Sequence, residues 1–300
     1  VEPDTVRAIL RRRIKHPPDE RLVGFASVLA DVTEMEKDPP SPTSARSAVR
    51  TFTFDEVWRD IEEIIGDGLQ LETLSRRAPN FFRYQSDGIQ VETGHGTETL
   101  PREWFRATWE LLSERPVSEE DLPRPARFRS SAVATLFSTL PYVDYTTHPR
   151  ITLFLVSHVF MNAQLSETFG VGPQGGIRFR GSAKEPKLIL FITEVGISRE
   201  DGPRGDNPYL DRWKDSILYY TGEGRQGDQT LSKGNRALHV SSEVGCPVYG
   251  FAKRAPDRYE YLGRFRVVRT ETAEQKDVTG AMRTVFVFHM EPTLEKRGTG

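Results

Sequence analysis

Three glycines, Gly222, Gly224 and Gly227, stand in the spacing G-x-G-x-x-G inside the stretch "YYTGEGRQGDQTLSKGNRAL" from Tyr219 to Leu238. Such a spacing can cradle the pyrophosphate of a dinucleotide when a strand precedes it, a helix opens at the glycines, and an acidic residue follows about 20 positions later. The strand "SILYY" is present and Glu243 stands at a suitable distance, but Asp228, Gln229, Lys233 and Gly234 break any apolar face on which the required helix could pack. No alternation of strands and helices elsewhere supplies a nucleotide crevice, so no cofactor is expected. Glycine also admits positive φ and lets a backbone approach a ligand closely. Tyr219 and Tyr220 before the turn, with Arg225, Gln226 and Gln229 inside it, combine stacking rings with long polar side chains, a mixture suited to DNA bases.

Catalytic constellations are sparse. His16, His95, His148, His158, His239 and His289 are scattered without an H-x-x-x-H pair, and the single Cys246 excludes both an intramolecular disulfide and a cysteine-built zinc site. Glu185-Pro186-Lys187 forms an E-x-K triplet that could hold a metal if an upstream acid such as Asp144 converged on it. The proline at its centre and the absence of supporting context argue against that, and no G-x-S-x-G elbow is present. No catalytic residue and no metal ligand is expected.

The elements that must position the turn follow from periodicity. Residues 1–50 open with the basic run "RAILRRRIKH" and pass into "EKDPPSPTSARSA", read as a short helix and a flexible linker. From Thr53, "TFDEVWRDIEEIIG" carries a Thr-x-x-Glu capping box, apolar residues at helical spacing and Gly66 as the stop. "NFFRYQSDGIQVET" predicts a hairpin about Asp87-Gly88. "LPREWFRATWELLSE" and "RPARFRSSAVATLFSTLP" both read as helices, so residues 51–145 form a helical module with one hairpin. That module could be winged-helix-like, with Arg124, Arg127 and Arg129 on phosphates, or an interaction domain in which these arginines are solvated and Trp104 and Trp109 are core. Residues 146–292 carry seven β-branched or aromatic runs with few helices between them, which predicts a mainly antiparallel sheet curled into a barrel. Residues 293–300 read as a tail.

Composition agrees with an α+β protein of two domains. A chain of 300 residues with 37% hydrophobic content can bury a core, and 41 Lys and Arg against 43 Asp and Glu leave a net charge of −2. With no global basic excess, a DNA-binding face must be local. No apolar run is long enough to cross a membrane and no signal-peptide segment opens the chain, which gives the expectation of a cytoplasmic protein.

The glycine stretch, followed by "CPVYGFAKR" and "YEYLGRFRVV", resembles the SRA (YDG) domain. Upstream, "GVGPQGGIRFRG" and "NPYLDRW" look like the bacterial version found in modification-dependent restriction endonucleases that join SRA to an HNH nuclease; the HNH part has no counterpart here. The likeness covers about residues 150–292. It implies an SRA/PUA-like curled barrel that binds duplex DNA carrying 5-methylcytosine or 5-hydroxymethylcytosine and flips that base into an aromatic pocket. It further implies Tyr209, Tyr220, Thr221 and Gly222 as pocket residues and Asp211 as acceptor for the cytosine amino group. In the family the acid stands three residues after the tyrosine; here Asp211 stands two after, with Arg212 in the third place. Gly224, Arg225, Gln226 and Gln229 would form the DNA-contact loop, with Arg225 or Gln226 filling the hole left by the flipped base. Arg178, Arg180, Lys233 and Arg236 are candidate phosphate contacts, although for Asn235 and Arg236 capping and anchoring the following segment is the favoured reading. Expected partners are modified duplex DNA, a nuclease partner or nuclease region, and a second copy of the chain. The alternatives are an endonuclease with an unrecognised active site and a DNA-binding regulator.

Overall fold

In the computed structural model, residues 52–74, 79–122, 124–195 and 207–293 are described. The basic run, the linker and the residues after 293 lie outside them, as does the stretch 196–206. The described chain divides into two units, 52–158 and 159–293. The division therefore falls after His158, whereas the composition change predicted it at residue 145.

In the first unit, helix α1 (Phe54–Ile65) starts where the sequence places it. Thr53 Oγ1 accepts from Glu56 N at 3.4 Å, Glu56 Oε2 accepts from Thr53 N at 2.9 Å, and Gly66 ends the helix at φ +53°. Its apolar face, Val57, Trp58, Ile61, Ile64 and Ile65, is buried. The predicted hairpin about Asp87-Gly88 is the middle of a larger antiparallel meander, β1 (Leu69–Glu72), β2 (Pro79–Gln85), β3 (Gly88–Thr93) and β4 (Gly96–Pro101). Helix α2 (Arg102–Glu114) buries Phe105, Trp109 and Leu112, with Trp109 stacked on Phe137 at 6.4 Å.

β5 (Val117–Ser118), a short 3-10 turn (Glu119–Asp121), α3 (Arg124–Arg127), α4 (Ser130–Phe137), β6 (Val143–Thr146) and β7 (Thr152–Leu155) follow, the strands pairing in the order β5-β7-β6. The single helix expected over "RPARFRSSAVATLFSTLP" is thus two short ones, interrupted at Phe128 and Arg129. A winged-helix arrangement is not shown by these elements. Arg127 donates to Glu120 O at 2.5 Å and Arg129 pairs with Glu98, so two of the three arginines have partners within their own unit.

The described residues of the second unit form one eight-stranded sheet with two helices. β8 (Val159–Phe160) and α5 (Asn162–Phe169) lead into β9 (Ile177–Gly181), β10 (Pro186–Thr193), β11 (Arg212–Lys214), β12 (Ile217–Thr221), α6 (Lys233–Val240), β13 (Val248–Ala255), β14 (Arg258–Lys276) and β15 (Met282–Thr293). The strand order is β11-β12-β15-β14-β13-β10-β9, with β8 on β14. All pairings are antiparallel except β10 with β13. Among the described residues the expected barrel does not close: the order ends at β11 on one side and β9 on the other, and each of these edge strands has a single partner.

The core between the sheet and α6 is aromatic. Phe191 meets Phe265 edge-on at 5.0 Å and Tyr220 at 5.1 Å. Gly250, in β13, is where two of these rings need room: a Cβ there would lie 2.5 Å from the Phe265 ring and 2.7 Å from that of Phe191. Gly250→Ala should overpack this site and lower stability by about 1–3 kcal/mol, read as a lower urea midpoint at unchanged slope. An unchanged midpoint would show that the two rings can part freely.

Candidate nucleic-acid interface

Strand β12 delivers the chain into the turn by a bond from Gly222 N to Phe286 O at 2.8 Å. The three motif glycines have different reasons to be glycine. Gly224 and Gly227 adopt φ of +126° and +66°, whereas Gly222 needs space: a Cβ there would stand 2.7 Å from Asn235 Oδ1 and 2.8 Å from Gln229 Oε1. Asn235, 2% exposed in α6, clamps the turn from below. Its Oδ1 accepts from Glu223 N at 2.8 Å, and its Nδ2 donates to Glu223 O at 2.9 Å and Thr230 O at 3.1 Å.

Gln229 takes a different place from the one expected. Its Nε2 donates to Gly222 O at 2.5 Å and its Oε1 accepts from Phe286 N at 2.9 Å, so its amide braces the turn instead of projecting toward DNA. Asp228 Oδ1 accepts from Thr284 N at 2.7 Å and Asp277 Oδ2 accepts from Gly227 N at 3.1 Å, which fixes the far side of the turn to the β14–β15 hairpin. Arg225 and Gln226 are left exposed at the tip.

The segment before β11 lies against this turn. Asn207 Oδ1 accepts from Tyr209 N at 3.0 Å, and the half-buried Tyr209 accepts at its hydroxyl from Gly224 N at 3.3 Å. Asp211 is 7% exposed; its Oδ1 accepts from Thr221 N at 2.8 Å and its Oδ2 from Thr193 Oγ1 at 2.7 Å. Tyr209, Asp211, Thr221, Gly222 and Gly224, separated in sequence, are thereby brought together. Alternation along β12 sends Tyr220 to the opposite face from Thr221, where it is 4% exposed and donates from its hydroxyl to Gly176 O at 3.2 Å. Burial first, then the carboxylates of Asp211 and Glu223, push that hydroxyl well above the ordinary tyrosine range, so it acts as a neutral donor.

Three residues of this arrangement were not singled out by sequence reasoning. Thr193 holds Asp211. Glu223, half-buried, accepts from Gly234 N at 3.0 Å, and burial raises its carboxyl above the usual range. Arg283, on β15, donates from Nη1 to Gly224 O. The glycine at position 234 was the one available signal, since a Cβ there would lie 2.5 Å from Glu223 Oε1.

The phosphate candidates separate. Arg178 is 5% exposed, donates to Asn162 Oδ1 at 2.7 Å and Gly175 O at 3.2 Å, and stands 5.6 Å from the Tyr259 ring, an internal brace in place of the expected phosphate contact. Arg180 and Arg236 are partly exposed and Lys233 is exposed. Of the metal-triplet candidates, Asp144 is buried in β6 of the first unit and accepts from Tyr145 N at 2.7 Å, while Glu185 and Lys187 are exposed residues of the second. Among the described residues no helix is long and apolar enough to cross a membrane.

Residues 160–296 match the family model of the ScoMcrA-like SRA domain. This segment is an SRA domain. Among solved structures, the chain is similar to the sulfur binding domain and SRA domain of ScoMcrA complexed with phosphorothioated DNA, at 17% identity over 47% of this chain and 41% of that one, with a TM-score of 0.35. It is also similar to the SUVH5 SRA domain in complex with hemi-methylated CG DNA (23% identity, 48% and 92% of the two chains, TM-score 0.36). A third similar structure is the DNA recognition domain of the cytosine modification-dependent restriction endonuclease LpnPI (19% identity, 51% and 76%, TM-score 0.36). Similarity spans 41% and 28% of the chains in the two ScoMcrA structures. No curated protein matches the chain.

Within the SRA domain the Asp277 contact has a pH signature. Hydrogen bonds from the Thr279 hydroxyl, then from Gly227 N and neighbouring amides, hold the Asp277 carboxyl down to about 2. Because the folded value lies below the ordinary 3.8, this stabilisation is full above that value and is lost as the pH falls toward about 2. Asp277→Asn should lower the melting temperature at neutral pH and flatten the acid side of the melting profile; an acid side as steep as in the unmodified protein would contradict the assignment.

Proposed function

We propose that the SRA domain reads a modified cytosine in duplex DNA by flipping the base against Tyr209, as the recognition part of a modification-dependent restriction system. The observation that carries this reading is the anchored Asp211: a buried carboxylate held by Thr221 N and Thr193 Oγ1 at the base of the Tyr-Thr-Gly turn, with Tyr209 beside it. A carboxylate accepts from several donors at once, so it can receive a cytosine N4 amino group while keeping its structural bonds. Tyr209, half-buried, is the ring offered to a flipped base, while Tyr220 is buried against Phe191. Unstacking costs a few kcal/mol, which stacking and the charge-assisted hydrogen bond together offset.

The exposed tip, Arg225 and Gln226, enters the gap left in the duplex, while Arg180, Lys233 and Arg236 meet phosphates. Because the whole chain has a net charge of −2, this contact is local and its affinity falls steeply with salt.

The test is a binding titration at fixed salt against matched duplexes carrying cytosine, 5-methylcytosine or 5-hydroxymethylcytosine. At least one modified duplex should bind ten times or more tighter than the unmodified one, on the order of 1.4 kcal/mol. Tyr209→Ala should remove about 1–3 kcal/mol of that preference while salt-sensitive background binding survives. Equal affinity for all three duplexes would refute modified-base recognition, and preserved selectivity in Tyr209→Ala would place the base elsewhere.

A further inference from the structure

Gln275 on β14 and Arg283 on β15 are direct cross-strand partners, and their side chains share one face of the sheet. They are 5% and 2% exposed. Each touches the turn that the preceding reading makes functional: Gln275 Nε2 lies 3.4 Å from Thr221 Oγ1, and Arg283 Nη1 donates to Gly224 O. Yet Gln275 Oε1 and Arg283 Nε and Nη2 are buried without a hydrogen-bond partner. No carboxylate among the described residues forms an ion pair with Arg283. Three unmet polar atoms on one cross-strand pair is an unfavourable arrangement, since buried polar groups in folded proteins are nearly always hydrogen-bonded and an unpartnered buried guanidinium is more costly still.

Their chemistry specifies what would satisfy them. Gln275 Oε1 accepts, while Arg283 Nε and Nη2 donate. A hydroxyl, which donates one bond and accepts two, answers both. A phosphate carries acceptors only and would leave Gln275 Oε1 unmet; it also stays with the DNA backbone, whereas these side chains lie inside the fold beneath Thr221 and Gly224. A methyl group would leave all three atoms unmet.

We propose that Gln275 and Arg283 form a polar subsite for the hydroxyl of a substituent on the flipped cytosine, so that the SRA domain selects 5-hydroxymethylcytosine over 5-methylcytosine. This rests on the base-flipping reading and extends it to the class of modification. A site built to hydrogen-bond a hydroxyl discriminates against the analogue that lacks it, because the site's own polar groups are then left unpaired.

The experiment measures the ratio of affinities for duplexes carrying 5-hydroxymethylcytosine and 5-methylcytosine, with unmodified duplex as the baseline, in the unmodified protein and in Gln275→Leu and Arg283→Lys. The unmodified protein should prefer the hydroxymethyl duplex by about tenfold or more. Gln275→Leu, of similar size, should bring the ratio toward unity chiefly by weakening the hydroxymethyl complex. Arg283→Lys keeps the charge but loses the fixed guanidinium fork, and should reduce the ratio with little change in the salt slope. Thermal melting and binding to unmodified duplex identify a folded variant. A preference for modified duplex with 5-methylcytosine bound as well as or better than 5-hydroxymethylcytosine would overturn the subsite while leaving base recognition standing. An unchanged ratio in folded Gln275→Leu would reduce the pair to a structural role. A salt slope falling by about one in Arg283→Gln, which removes the charge, would assign Arg283 to a phosphate instead.

Discussion

The geometry of the SRA domain depends on one buried carboxylate. Asp211 receives a backbone N–H from Thr221 at the end of β12 and a hydroxyl from Thr193 at the end of β10. Those strands are not neighbours: β15, β14 and β13 stand between them in the sheet. A single acid therefore joins two separated strand ends to the segment that carries Tyr209. An isolated charge at 7% exposure would be strongly disfavoured, so its hydrogen bonds are a condition of the fold as well as of the site.

Around that point the turn is fixed at its base and open at its tip. Asn235, Gln229 and Asp277 bind backbone groups between Gly222 and Gly227 through side-chain hydrogen bonds. Bonds already in place in the free protein lower the ordering cost of any contact made at this turn. Arg225 and Gln226 are exposed at the tip of the turn.

Local signals were legible where local physics decides. Thr53 and Glu56 form the capping box that their spacing predicts, and Asp87-Gly88 sits at the turn between β2 and β3. The ordered blocks "YYTG", "GNRAL" and "YEYLG" led to the SRA family, which the match over residues 160–296 bears out. What the chain does over long range was not legible. The parallel pairing of β10 with β13 joins Ile189 to Val248 across β11, β12 and α6, and neither residue signals its partner. The open edges at β9 and β11 could not be told from barrel closure by strand count. Side-chain direction was hidden as well: Gln229 and Arg178 look like surface contacts by type, yet both satisfy internal carbonyls. The Gln275–Arg283 pair emerges only from the β14–β15 register.

The central claim, that the Tyr209–Asp211–Thr221 site takes a base out of the duplex, is tested most directly by fluorescence of 2-aminopurine placed next to the modified cytosine. Extrusion of the cytosine unstacks the probe, so saturating protein should raise its emission on the modified duplex and not on the unmodified one, and the rise should be lost in Asp211→Asn. Tight, modification-selective binding with no change in emission would contradict base flipping and require the modification to be read within the stacked helix.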